Sequence, residues 1–250
     1  MPSSDLPYVE VAGDGPAVVL LHAGVADSRQ WEPQWPALAE RHRVLRYDRR
    51  GYGRSPLPAF AYTDFDDLVA VLDAAGMSDV AVVASSGGGV RALQLAANRP
   101  DLVRGLVLLC TDADLLEPTA SLRAFGDRED ALIEAGDLVG ATELNVATWV
   151  GPEGDEETRA LVRAMQQRAF EVQVAAEDVD RGPGPDTHLA RITVPVTLVT
   201  GAHDVDYFTA TADALAERLP DARRIALDWA GHLPNLERPA EITHLLLATL

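Results

Sequence analysis

The 250 residues carry 21 basic and 39 acidic side chains, a net charge of −18 and a pI near 4.6, and 47% of them are hydrophobic. A chain of this length buries roughly 70–75% of the surface its unfolded form exposes, so one core forms without a disulfide or metal staple, and so acidic a surface repels phosphate backbones and anionic membranes. Every basic residue is Arg, which excludes a P-loop lysine, a Schiff-base lysine and the catalytic lysine of short-chain dehydrogenases; the lone Cys110 excludes an internal disulfide and Cys-rich metal clusters.

Residues 1–5 lack the basic and apolar regions of a signal peptide, and no apolar run approaches the ~18–20 residues of a membrane span. The expectation is a cytoplasmic protein, monomer or homodimer, whose partner is a small molecule rather than nucleic acid or membrane.

In chain order, residues 8–11 alternate and predict an antiparallel edge strand. Short apolar runs at 17–22, 43–47, 80–84, 105–110 and 194–200 predict buried strands. Helical periodicity occupies 64–75, 88–98, 207–219 and 239–249. Strands alternating with helices predict a mostly parallel α/β sheet covered on both faces. The alternation stops over residues 112–191, which are acidic, helical and broken by Gly-containing turns. This predicts a core of 1–111 and 192–250, with 112–191 inserted as a helical lid at the carboxyl ends of the strands, where such sheets bind ligands.

The run at 80–84 passes into Ser85-Ser86-Gly87-Gly88-Gly89 and then a helix. A Ser on a sharp strand-to-helix turn needs tiny residues two positions away on each side. Ser86 has Ala84 and Gly88 there, whereas Ser85 has β-branched Val83, so Ser86 is the better candidate nucleophile. The same residues also spell Gly87-x-Gly89-x-x-Ala92 with Asp112 about 20 positions on, a dinucleotide-binding pattern. That rival does not sit on the first strand and leaves the remaining polar motifs unexplained.

The first of those motifs is His22-Ala23-Gly24. A peptide N–H after this strand and the N–H following the nucleophile, those of Gly24 and Gly87, form a candidate oxyanion hole; the His22 ring is expected to hydrogen-bond the loop. The second is Gly201-Ala202-His203-Asp204, where Asp204 is placed to orient an imidazole, with Asp206 as fallback and Asp112 or Asp114 more distant. The third is Gly231-His232, before the last helix. In the order Ser86, Asp204, His232 the histidine becomes the general base. His42, His188 and His244 read as surface positions, and no histidine has metal-ligand spacing, so no metal site is expected.

His22-Ala23-Gly24, the segment Asp48-Arg49-Arg50-Gly51-Tyr52-Gly53-Arg54-Ser55, Ala84-Ser85-Ser86-Gly87-Gly88, Gly201-Ala202-His203-Asp204 and Gly231-His232 together resemble the successive motifs of the α/β-hydrolase superfamily, in its small bacterial esterase and enol-lactonase-like branch. The resemblance implies an eight-stranded, mostly parallel sheet, a helical lid after the sixth strand and a Ser-His-Asp triad without cofactor. The chain departs from the pattern at Ala23 and Ala84, where glycine is usual, and at Ser85, where histidine is common; the first two replacements are still small. Asp48 and its glycines are assigned to loop structure.

The activity so implied is that of a serine hydrolase cleaving a small, apolar carboxylic ester or lactone. Val25, Trp31, Trp149, Met165, Phe170, Phe208 and Leu233 are the candidate pocket walls. Alternatives are C–C bond hydrolysis, perhydrolysis or a lyase reaction by the same triad, and a non-catalytic small-molecule binding protein. The acyl group and the alcohol are not encoded in any motif of the sequence.

Overall fold

A computed structural model describes residues 6–174, 176 and 179–250; residues 1–5, whose composition argued against a leader, lie outside them. Seven strands, β1 (Val9–Ala12), β2 (Ala17–Leu21), β3 (Arg43–Tyr47), β4 (Val80–Ser85), β5 (Val103–Leu109), β6 (Val196–Gly201) and β7 (Ala222–Leu227), form one sheet in the order β1-β3-β2-β4-β5-β6-β7. β1 runs antiparallel to β3 and every other neighbouring pair is parallel. Among the described residues the strand count is seven rather than the eight expected. Only residues 6–8 precede β1 there, too few for a further strand.

Alternate residues of each strand point to opposite faces, and each face has its own core. Val19, Val82, Leu108 and Leu198 pack with α2 (Asp64–Ala74), α3 (Gly88–Asn98) and α7 (Asp206–Arg218) through Leu68, Leu72, Leu93 and Leu215. Val18, Leu20, Val83 and Val107 pack on the other face against α1 (Trp35–Ala39) and α9 (Pro239–Thr249) through Leu38, Ile242 and Leu246. The short α8 (Pro234–Glu237) precedes α9.

Between β5 and β6 the chain forms α4 (Ala120–Glu134), α5 (Leu138–Trp149) and α6 (Glu156–Val174). Thr119 and Asp137 cap α4 and α5 by accepting from the N–H of Leu122 and Gly140. Val146, Trp149, Val162 and Met165 of these helices pack on Ala23, Val25, Phe208 and Leu233, which follow β2, β6 and β7. The returning segment is tied to the core where Arg181 meets the buried Asp64 carboxylate. Burial alone would raise that carboxyl, but Arg49, Arg181 and Arg91 outweigh it and hold it below its ordinary range. No helix among the described residues is long and apolar enough to cross a membrane.

Candidate functional site

The turn from β4 to α3 has the strained geometry its sequence demands. Ser86 sits at φ 52°, in the left-handed region, while Ser85 is wholly buried as the last residue of β4. The Ser86 carbonyl accepts from Gly89 N–H at 2.8 Å and Asp112 N–H at 3.1 Å, which locks the turn. A Cβ on Gly88 would stand 2.9 Å from the carbonyl oxygens of both Leu21 and His22. The small residue at 88 is therefore required by the neighbouring strand β2, and not only by the sharpness of the turn itself. Ser86 thus rests at the N-terminus of α3, where helix N–H groups favour negative charge.

His232 Nδ1 lies 3.0 and 2.9 Å from the two carboxylate oxygens of Asp204, with side chains only 2% and 1% exposed. Asp206, the fallback acid, is instead exposed at the start of α7 and accepts from the Thr119 and Ser121 hydroxyls. Asp112 accepts from the Tyr207 hydroxyl at 2.8 Å. The His232 loop is held by Glu237, which accepts from the N–H of Gly231 at 3.1 and 3.0 Å and of Leu233 at 3.3 Å. Burial pushes the Glu237 carboxyl above its ordinary range against the pull of these donors.

The Asp204 and His232 loops meet where two glycines exclude any side chain. A Cβ on Gly201 would fall 2.3 Å from the Gly231 oxygen and 2.4 Å from the Ala230 oxygen. Gly201→Ala is accordingly expected to destabilise the fold by about 1–3 kcal/mol, the usual cost of overpacking. Urea denaturation would measure it, and a stability within about 0.5 kcal/mol of wild type would show that the two loops part without cost.

Behind the pair stands Cys110, whose Sγ, with Asp204 and His232 ligand atoms, falls in a cluster spanning 4.8 Å. Burial, then the Asp204 charge, pushes its thiol well up. A thiol that keeps its proton, beside an imidazole nitrogen already paired with a carboxylate, is a poor donor set for a metal.

Ser86 and His232 open onto one cavity of about 250 Å³, together with Gly24, a candidate oxyanion donor, and with Val25, Trp149 and Phe170 of the expected walls. The remaining lining is Tyr52, Phe125, Glu129, Asn145, Gln166 and Gln173. Polar side chains outnumber apolar ones, which corrects the expectation of an apolar pocket. Trp31 is another correction: it is fully buried with Val18, Leu20 and Leu38 on the far face of the sheet, because the turn Ser28–Trp31 directs its ring inward. Met165, Phe208 and Leu233 pack behind the lining rather than in it. The Phe208 and Trp149 rings back the imidazole, with centroids 4.2 and 4.6 Å from that of His232.

The backbone N–H groups of Gly24 and Gly87 donate to no group within the described residues. The loop bearing Gly24 is shaped by His22, as expected: its Nε2 accepts from Arg49 N–H at 3.0 Å and its Nδ1 faces the Ala23 carbonyl at 2.7 Å. An acceptor at Nε2 leaves the proton on Nδ1, so the ring is neutral. Burial, then the nearby Arg49 charge, lowers its pKa to about 3. Asp48 does the loop work assigned to it, accepting from Ser28 and Arg54 N–H at 2.8 Å each. His42, expected at the surface, is buried at the start of β3 with 7% exposure.

The sequence pattern of the alpha/beta hydrolase family matches residues 18–245. The chain belongs to that family. Hydrolase chemistry is the coarse assignment this membership supplies. A "Putative carbamate hydrolase RutD" of Pseudomonas savastanoi pv. phaseolicola is 30% identical over 255 residues, covering 94% of this chain and 93% of the relative. Est816, a solved N-acyl homoserine lactone degrading enzyme, superposes with a TM-score of 0.78 at 27% identity, over 97% of this chain and 96% of Est816. The enol-lactonase of Burkholderia xenovorans shares the fold with a TM-score of 0.79 at 24% identity, over 96% of this chain and 95% of its own.

Within this alpha/beta hydrolase, the cavity residues that sequence reasoning missed are Tyr52 and, from the helices between β5 and β6, Phe125, Glu129, Asn145, Gln166 and Gln173. One signal for them exists. Val162, Met165, Ala169 and Phe170 form the buried stripe of α6, and Gln166 interrupts it. An amide inside an apolar stripe marks a helix face that looks at something other than core.

Proposed function

We propose that this alpha/beta hydrolase is a cofactor-independent serine hydrolase acting on a small carboxylic ester, lactone or carbamate. The observation that carries the reading is the buried His232–Asp204 pair opening onto the same cavity as Ser86, a serine held at positive φ. In this mechanism the Ser86 hydroxyl gives its proton to His232 Nε2 as Oγ bonds to the acyl carbon, and the carbonyl electron pair moves onto oxygen. The N–H groups of Gly24 and Gly87 receive that oxyanion, and Asp204 holds the imidazolium in register. Collapse expels the alcohol, which takes the proton from His232. Water then attacks the acyl-enzyme with His232 as base, releasing the acid and restoring Ser86.

The ester, lactone and carbamate range is favoured by what the relatives are named for, together with a cavity sized for a small molecule. The reading is tested with a fluorophosphonate, which needs an activated serine but no knowledge of the substrate. Peptide mass spectrometry is expected to find a single adduct on Ser86, absent from Ser86→Ala. An unlabelled Ser86, with adducts elsewhere or none, would sink the reading.

A further inference from the structure

The cavity has two sides of different chemistry. Ser86, His232 and Gly24 come from the core, while Glu129 on α4, Asn145 on α5 and Gln166 on α6 face them from the lid. Resting on the function proposed for this site, we propose that the substrate carries a protonated amine, received on the lid side by the Glu129 carboxylate.

Glu129 lies in the cavity without a countercharge: among the described residues no Arg or His forms an ion pair with it. Among the described residues the hydrogen bond to its carboxylate comes from Asn145 Nδ2 to Oε1. Asn145 has nothing more to give, since Nδ2 also donates to the Ala141 carbonyl at 2.9 Å and Oδ1 accepts from Trp149 Nε1 at 2.9 Å. The second Glu129 oxygen is left for a ligand. Gln166, 5% exposed, has a buried Oε1 with no hydrogen-bond partner. Gln166 Oε1 is costly to leave buried without a donor, whereas the half-buried Glu129 carboxylate keeps one oxygen within reach of a ligand. A carboxylate only accepts, so the group that meets it must donate, and an ammonium both donates and neutralises. Burial raises the Glu129 carboxyl, the cost that a bound cation reverses. The Phe125 and Trp149 rings line the same cavity, and aromatic rings attract cations. The net charge of −18 draws cations toward the protein.

The test uses 4-nitrophenyl esters that differ at one ring position: piperidine-4-carboxylate, with NH2+; cyclohexanecarboxylate, with CH2; and tetrahydropyran-4-carboxylate, with an ether oxygen. A second series places the same rings on the alcohol side of acetate esters. In one series or the other, kcat/KM for the piperidine ester is expected to exceed both neutral esters by about 10-fold or more, the scale of a charged hydrogen bond. Glu129→Gln, which keeps the contact to Asn145, should collapse the preference to within about 3-fold. Calorimetric binding of the same esters to Ser86→Ala gives the ranking without turnover. Neutral esters cleaved as well as the piperidine esters would overturn this inference and leave the hydrolase standing. The piperidine preference in binding, with no ester cleaved by wild type, would sink the hydrolase and leave the amine site. No binding preference in either series would overturn the amine site.

Discussion

Ser86→Ala is expected to lower kcat for a simple ester such as 4-nitrophenyl acetate by about four to six orders of magnitude, and His232→Ala by a comparable factor. In the mechanism proposed above the two residues are parts of one device. The serine, exposed to the cavity at the head of α3, has no other base on that floor, and the imidazole opposite it is fixed by Asp204 on one side and by two aromatic rings on the other. The double variant should therefore be hardly slower than either single one, because removing a second member of a unit that has already failed costs little. Asp204→Asn is expected to lose about four orders of magnitude, since an amide presents a donor where the imidazole needs an acceptor. Asp206→Asn should leave the rate within about two-fold, its carboxylate being an exposed partner of Thr119 and Ser121. Steady-state kinetics on folded variants decides the matter. A His232→Ala enzyme with a tenth of the wild-type rate would remove the histidine from the mechanism.

The second large effect is on stability in acid. The native protein keeps His22 neutral down to a pKa of about 3, because the ring is wholly buried beside Arg49 and its Nε2 is occupied as an acceptor. Between pH 6.5 and 3 the unfolded chain takes up a proton on this residue that the native protein refuses. Unfolding is thus favoured as pH falls, and the stability tied to His22 is intact above pH 6.5 and lost progressively toward pH 3. Two pH units below 6.5 this amounts to about 3 kcal/mol at most. His22→Asn, which cannot titrate, should be less stable at pH 7.5 for want of its partner contacts, yet should lose about 3 kcal/mol less than wild type on moving to pH 4.5. Urea melts at the two pH values measure the difference. Parallel losses in both proteins would show that His22 is protonated in the native state.

The strands that bury both faces were legible because burial on both sides leaves an apolar run with nothing polar in it, as at Val80 to Ala84. α3 and α9 were legible to the residue; the motifs at Ser86 and Asp204 each follow a strand as expected, and His232 lies in the loop before the last helices, where it was placed. β7 was not legible, because Arg223 and Arg224 occupy its centre and are exposed, so no apolar run marks it. The cavity walls were harder. Trp31 looked like a wall because it follows the His22 loop, but a 3-10 turn of four residues points it into the core. Glu129, Asn145 and Gln166 lie on three helices whose inward faces are decided only when those helices pack on the segments after β2, β6 and β7. No local pattern holds that information, save the amide that interrupts the α6 stripe.

The edges of the sheet bear on how the protein stays apart from its own copies. An unpaired edge offers a row of N–H and C=O groups to any other strand, and among the described residues the sheet has one on either side. At β1 the row is four residues long, too short to hold much. At β7 it is six residues long, and Arg223 and Arg224 stand on it in succession, one on each face. A second copy laying its own β7 alongside would meet a guanidinium on each face. Charged side chains on an edge strand oppose such pairing: Arg223 brings a charge uncompensated among the described residues and Arg224 an ion pair with Asp213 that a new strand would have to desolvate, so the two arginines that hid this strand in the sequence also disfavour edge-to-edge aggregation.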